Sequence, residues 1–207
     1  ELLDDVDVEN DKAIDKFVKE YLLTRLRRNK KKYLAATITD PTTDKPVPGP
    51  LAKYSPKYRE MLLRIQQSPG LVLIYSYFRK LIGLGIFALV LEATDEWHEF
   101  RLRREGGEWH LPRYMTDNPG KDAPWRKMKR YVMYSGEESQ EEKAIIPMIF
   151  NSEFDRLPTS AAPIAEQLQK LFDSKEQNLH GDIIKALMTT RTGAEGLDLK
   201  HVRSVHI

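Results

Sequence analysis

The stretch TTRTGAEGLDLKHVRSVHI, Thr189 to Ile207, follows an apolar run, Ile183 to Met188, and ends in another, Val202 to Ile207. Short apolar runs bounded by turn residues predict strands. The loop between them is the chain's richest. Thr189, Thr190, Arg191 and Thr192 supply hydroxyls and a guanidinium. Gly193 and Gly196 let backbone approach a phosphate, and Asp198 adds a carboxylate able to accept from a ribose hydroxyl. Ligands of open parallel sheets bind beyond the carboxyl ends of the strands, which is where this loop falls. A plain turn, with glycines at positive φ and a solvated aspartate, has the same composition.

Working outward, Leu71-Val72-Leu73-Ile74-Tyr75 is an unbroken apolar run, as expected for a strand buried on both faces of a parallel sheet. Tyr131 to Tyr134 is another short strand. Ser55-Pro56 starts a helix whose Tyr58, Met61, Leu62 and Ile65 share one face, and residues 80–93 predict a helix apolar nearly all round. Ser139 caps a helix running to about Phe150, with Glu142 as its capping-box partner and Pro147 costing it one hydrogen bond. A further helix covers about Ile164–Phe172. Alternation over 97–114, around Glu105-Gly106-Gly107, predicts a β-hairpin. Residues 11–28 repeat at helical spacing, and Pro41, Pro46, Pro48 and Pro50 mark an extended linker. Strands alternating with helices give an α/β fold, a parallel sheet flanked by helices with right-handed crossovers. To it are added a hairpin insertion over about 97–130 and a helical and linker extension over 1–50.

With 41% apolar and 31% charged residues, the 207-residue chain can build a core under a solvated surface. The lack of cysteine removes disulfides and thiolate metal sites and fits a reducing compartment. No secretory leader is legible in the acidic N-terminus, and Arg79 and Lys80 divide the most apolar stretch into arms too short for a membrane span. A soluble, intracellular protein is expected, with no membrane partner. Net charge is only +2, but six cations crowd residues 25–32, and Lys121, Arg126, Lys127, Lys129 and Arg130 surround Trp125. Each cluster is either a solvated face or a phosphate-contact surface. Trp97, Trp109 and Trp125 could stack on bases, although hairpin packing suits the first two better.

Other chemistries find little support. Gly83-Leu84-Gly85-Ile86-Phe87-Ala88 has the dinucleotide-fingerprint spacing, but it does not directly follow a strand, and its glycines fall inside a helical pattern. The five histidines lack metal-ligand spacing, so no metal site is expected, and no serine sits in a nucleophile elbow.

Three blocks together resemble the superfamily 2 helicases. Leu73-Ile74-Tyr75-Ser76-Tyr77-Phe78 is similar to motif IV, particularly the strand end of the Snf2-like branch. Ser135 to Lys143, followed by Phe150-Asn151, resembles the strand–loop–helix that bears a Q-x-x-R element, with Gln140 kept and Lys143 in place of arginine. Thr190 to Asp198 resembles motif V. Lys53 to Lys57 and the long insertion look most like the helicase and transcription-factor ATPases of large DNA viruses. The resemblance covers about residues 53–207 and implies a C-terminal RecA-like domain over 51–207. It implies that Ser76, Gln140, Lys143, Thr190 and Gly193 face DNA or RNA, and that Gly196 and Asp198 lie at an ATP site shared with an N-terminal RecA-like lobe. Lys143 lacks the bidentate fork of arginine, so phosphate contact with weaker geometry is expected there. A viral relative would also meet transcription machinery, in the virion or in the host cytoplasm or nucleus.

The sequence contains no G-x-x-x-x-G-K-[ST] phosphate loop and no D-E-x-x box, and it stops short of the arginine-finger motif. The expectation is therefore a half-enzyme, with ATP and Mg2+ bound mainly by the other lobe, no cofactor held by this part alone, and no catalytic residue of its own. The competing expectation is a non-catalytic nucleic-acid-binding module using segments 25–32 and 121–130.

Overall fold

The computed structural model describes residues 24–78, 83–136, 138–172 and 178–207. At its centre is a five-stranded sheet. Its strands are β3 (Leu71–Tyr75), β4 (Trp97–Glu99), β7 (Lys129–Tyr134), β8 (Ala186–Thr189) and β9 (Val202–His206), in the order β4-β7-β8-β3-β9. Every neighbouring pair is parallel. Helices cover both faces, the RecA-like α/β arrangement expected from the sequence.

Alternation explains the continuous apolar runs. On β3, Leu71 enters one core and Val72 and Ile74 the other. On β8, Leu187 enters the first and Ala186 and Met188 the second. The first core lies under α7 (Gln140–Phe150) and α8 (Ala162–Leu171), and the second under α4 (Pro56–Gln67) and α5 (Leu84–Glu92). Each fully buried aliphatic side chain in these layers stabilises the fold by about 1.5–3 kcal/mol.

Local starts and stops follow side-chain chemistry. Ser55 accepts from the Tyr58 N–H at 3.4 Å to begin α4 at Pro56, and Ser139 accepts from the Glu142 N–H at 3.2 Å to begin α7. Pro147 inside α7 has no N–H to offer the Lys143 carbonyl one turn back. The Tyr134 hydroxyl, at the end of β7, donates to that carbonyl instead at 3.1 Å.

Several expectations need correction. Trp97–Glu99 is not part of the hairpin; it pairs with β7 as an edge strand of the main sheet. The hairpin itself is β5 (Arg103–Glu105) with β6 (Glu108–His110), turning at Gly106 and Gly107, both at positive φ, and the short α6 (Arg113–Thr116) follows it. The proline-rich linker forms a small antiparallel pair, β1 (Thr37–Thr39) with β2 (Pro46–Pro48), and a short α3 (Leu51–Tyr54). In a two-stranded sheet every strand is an edge, where a missing N–H is tolerated. The Asp40 carboxylate fixes the turn by accepting from the Thr42 and Thr43 N–H groups at 2.7 and 3.0 Å. Of the helix read over 11–28, residues 11–23 lie outside the described residues; α1 (Thr24–Arg28) ends at Asn29 and α2 (Lys30–Leu34) follows. Gly83 is not inside α5 but at its N-cap, where a side chain would collide with the Phe78 carbonyl. Among the described residues, no helix is long and apolar enough to cross a membrane.

Candidate functional site

Register brings three strand ends to one level. Tyr75 of β3 and Tyr134 of β7 both lie opposite Thr189 of β8. The next residues, Ser76, Ser135 and Thr190, therefore form a row across the carboxyl edge of three adjacent strands. At parallel-strand spacing the row spans about 10 Å. Two hydrogen bonds tie it together. Thr190 Oγ1 donates to the Ser135 carbonyl at 2.8 Å, and the Ser76 N–H donates to the Thr189 carbonyl at 3.0 Å.

Within the loop after β8, Thr190 caps the short α9 (Arg191–Ala194) by accepting from the Gly193 N–H at 3.4 Å. Both residues are buried. A side chain at position 193 would run into the Tyr134 carbonyl and the Thr189 hydroxyl, so close packing requires glycine there. Thr190 and Gly193 thus join the β7 and β8 loops, and the residues that face outward are Arg191 and Thr192. Sequence reading had weighed the guanidinium of this loop without assigning it a contact.

In the loop after β7, Gln140 opens α7 exposed, and Lys143 lies a turn further along, half-buried. Between strand and helix, the Glu138 carboxylate accepts from the Ser135 N–H at 3.0 Å, the Gly136 N–H at 2.7 Å and the Ser135 hydroxyl at 3.0 Å. Burial pushes its pKa up, but those hydrogen bonds outweigh burial and hold it below the ordinary carboxylate value. No local pattern in the sequence singles out Glu138 from the acids beside it.

After β3, the Ser76 hydroxyl accepts from the Phe78 N–H at 3.2 Å, leaving Tyr77 and Phe78 exposed. A groove of about 860 Å³ opens beside it, lined mostly by apolar side chains such as Leu51, Tyr58, Ile74 and Phe87. Lys57 is the one cation among its described lining residues, which is too few for a triphosphate.

Gly196 sits at φ 72° with open space above it, and the Asp198 side chain is exposed. A buried residue at the end of α7, Asn151, positions this segment: its Nδ2 donates to the Asp198 carbonyl at 2.9 Å and its Oδ1 accepts from the Lys200 N–H at 2.8 Å.

Parts of both basic stretches turn out to be structural. Arg130 is only 3% exposed; it donates to the carbonyls of Ile183, Trp125, Met128 and Asp182. Arg126 lies over the Trp125 ring and donates to the Gly120 and Pro119 carbonyls, so Trp125 is buried and not free to stack on a base. In the first basic cluster Lys30 pairs with Glu92 and Lys31 with Asp95, whereas Arg25, Arg27, Arg28 and Lys32 are exposed. Among the described residues, no three His, Asp or Glu side chains converge as a metal site.

The chain is 33% identical over 166 residues to the termination factor NPH-I homolog of an African swine fever virus isolate from a Namibian warthog, covering 74% of this chain and 20% of that protein. A Malawi tick isolate's homolog is 32% identical with the same coverage. An Acanthamoeba polyphaga mimivirus protein named "Putative ATP-dependent RNA helicase R563" is 24% identical over 157 residues, 76% of this chain and 20% of its own length. These similarities support a superfamily 2 helicase-like domain. The chain spans about a fifth of the length of these curated relatives. No protein-family model matches this helicase-like domain, and no solved structure does.

Proposed function

We propose that this helicase-like domain is the second, C-terminal RecA-like lobe of an ATP-dependent nucleic-acid motor, over residues 51–207, and that its strand-end loops grip one strand of DNA or RNA. The single observation that carries the reading is the level row Ser76–Thr190–Ser135 at the edge where parallel sheets bind ligands. The names of the viral relatives support it, as does the similarity of all three loops to helicase blocks. In this reading Ser76, Gln140 and Lys143 contact the backbone together with Arg191 and Thr192, while Thr190 and Gly193 hold the loops in register. Gly196 and Asp198 meet the ribose of an ATP held by the N-terminal lobe with its Mg2+, which supplies the chemistry of phosphoryl transfer. A Snf2-like or viral transcription-factor motor, working beside transcription machinery, is the branch we favour.

Binding by the basic segments is the rival reading. Fluorescence anisotropy with a labelled single strand at two salt concentrations separates the two. Gripping by the strand-end loops requires a larger loss from Gln140→Ala with Arg191→Ala than from neutralising Arg25, Arg27, Arg28 and Lys32. The reverse order would assign the strand to the basic segment.

A further inference from the structure

We infer that the Ser135 N–H, Gly136 N–H and Ser135 hydroxyl form an oxyanion site for a phosphate group, which Glu138 fills in the absence of ligand. The inference rests on the strand-gripping reading for the identity of the phosphate, but not for the existence of the site.

Three donors converge on one carboxylate at 2.7–3.0 Å. They stand at the carboxyl end of a central parallel strand, and Gly136 adopts φ 96°, so that consecutive amides point the same way. Convergent amides of this kind bind anions through oxygens, and a phosphate oxygen and a carboxylate oxygen are interchangeable to them. The donors are also fixed from behind, because the Ser135 carbonyl is held by Thr190 and Gly136 packs against the Thr192 side chain, with which a Cβ would make contact at 3.0 Å.

Charge makes the occupant's role specific. The Glu138 carboxylate occupies all three donors, so a phosphate approaching them meets a negative charge first, whereas Glu141 is turned away to Arg104 and the Trp109 N–H. Burial, and then the negative charge of Glu138, push the Glu142 carboxyl above its ordinary value, a sign that the two are crowded. A phosphate entering the site must expel Glu138 to solvent. Strand binding is thereby coupled to displacement of the Glu138 side chain, and the resting domain binds more weakly than its donors would allow.

The test compares wild type with Glu138→Gln, which keeps an acceptor in place, and Glu138→Ala, which empties the site. The first readout is the melting temperature in inorganic phosphate against chloride of equal ionic strength. Phosphate should stabilise Glu138→Ala and leave wild type nearly unchanged; equal responses would overturn the site. In the second, anisotropy of a labelled 12-nucleotide strand should show about tenfold tighter binding by both variants, as removal of a like charge allows. Unchanged or weaker binding by variants that still melt cooperatively would overturn the gate. Tightening for ATP but not for the strand would identify the phosphate as a nucleotide's. Failure of every variant, wild type included, to bind the strand would refute the gripping reading and leave the phosphate readout to decide the site.

Discussion

Thr190 donates its hydroxyl hydrogen to the Ser135 carbonyl at 2.8 Å, so two loops that lie 55 residues apart in sequence are joined at the carboxyl edge of the sheet. The same oxygen accepts the N–H that begins α9. One hydroxyl therefore shapes the β8 loop and docks it on the β7 loop. Thr190→Val keeps the shape and removes both bonds. It should destabilise the domain by about 1–2 kcal/mol in urea denaturation and weaken strand binding, while Thr190→Ser should restore most of both.

Gly193 is the steric counterpart. Any side chain there meets the Tyr134 carbonyl, so Gly193→Ala should cost about 2 kcal/mol or more. An unchanged urea midpoint would show that the β8 loop relaxes freely.

Tyr134 and Pro147 should be coupled. Tyr134→Phe removes the donor to the Lys143 carbonyl and should cost about 1 kcal/mol. Pro147→Ala restores a helical N–H to the same carbonyl. In that background Tyr134→Phe should cost much less, and a double-mutant cycle in urea denaturation measures the difference. Additive costs would mean that the carbonyl does not depend on the tyrosine.

Arg130 illustrates what a linear sequence hides. Its place in a basic stretch left a solvated face or a phosphate contact open, yet its hydrogen bonds go to the backbone carbonyls of Ile183, Trp125, Met128 and Asp182, two of them more than 50 residues away. Arg130→Met should destabilise by about 3 kcal/mol and leave the salt dependence of strand binding unchanged. A reduced salt slope would instead make it a phosphate contact.

Elements whose pattern is local were legible. LVLIY predicts β3 residue for residue, because a strand buried on both faces has no polar positions, and the serine caps at 55 and 139 follow from hydroxyl chemistry. The likeness to helicases was legible too, and the viral relatives bear it out for the chain as a whole. What was not legible depends on distant partners. Asn178, wholly buried, donates to the Phe150 and Ile184 carbonyls and accepts from the Ile183 and Ile184 N–H groups, yet its neighbours in sequence do not signal it. Trp97–Glu99 is too short to separate from the alternation of the hairpin after it, and only pairing with β7 assigns it to the sheet. Glu138 looks solvated until the amides at the end of β7 are placed.

The same carboxylate sets an acid limit. Its folded-state pKa lies below the ordinary 4.5, so its contribution to stability is complete above that value and is lost as pH falls through the folded one. The melting temperature of wild type should therefore fall more steeply below about pH 4.5 than that of Glu138→Gln. Parallel curves would mean that its bonds do not stabilise the fold.

Hydrogen exchange with and without a saturating single strand tests the grip most directly. Strand gripping by the sheet edge requires new protection at residues 76–78, 135–143 and 190–193 together. Protection confined to residues 24–32 or 121–130, with those three loops unchanged, would contradict it.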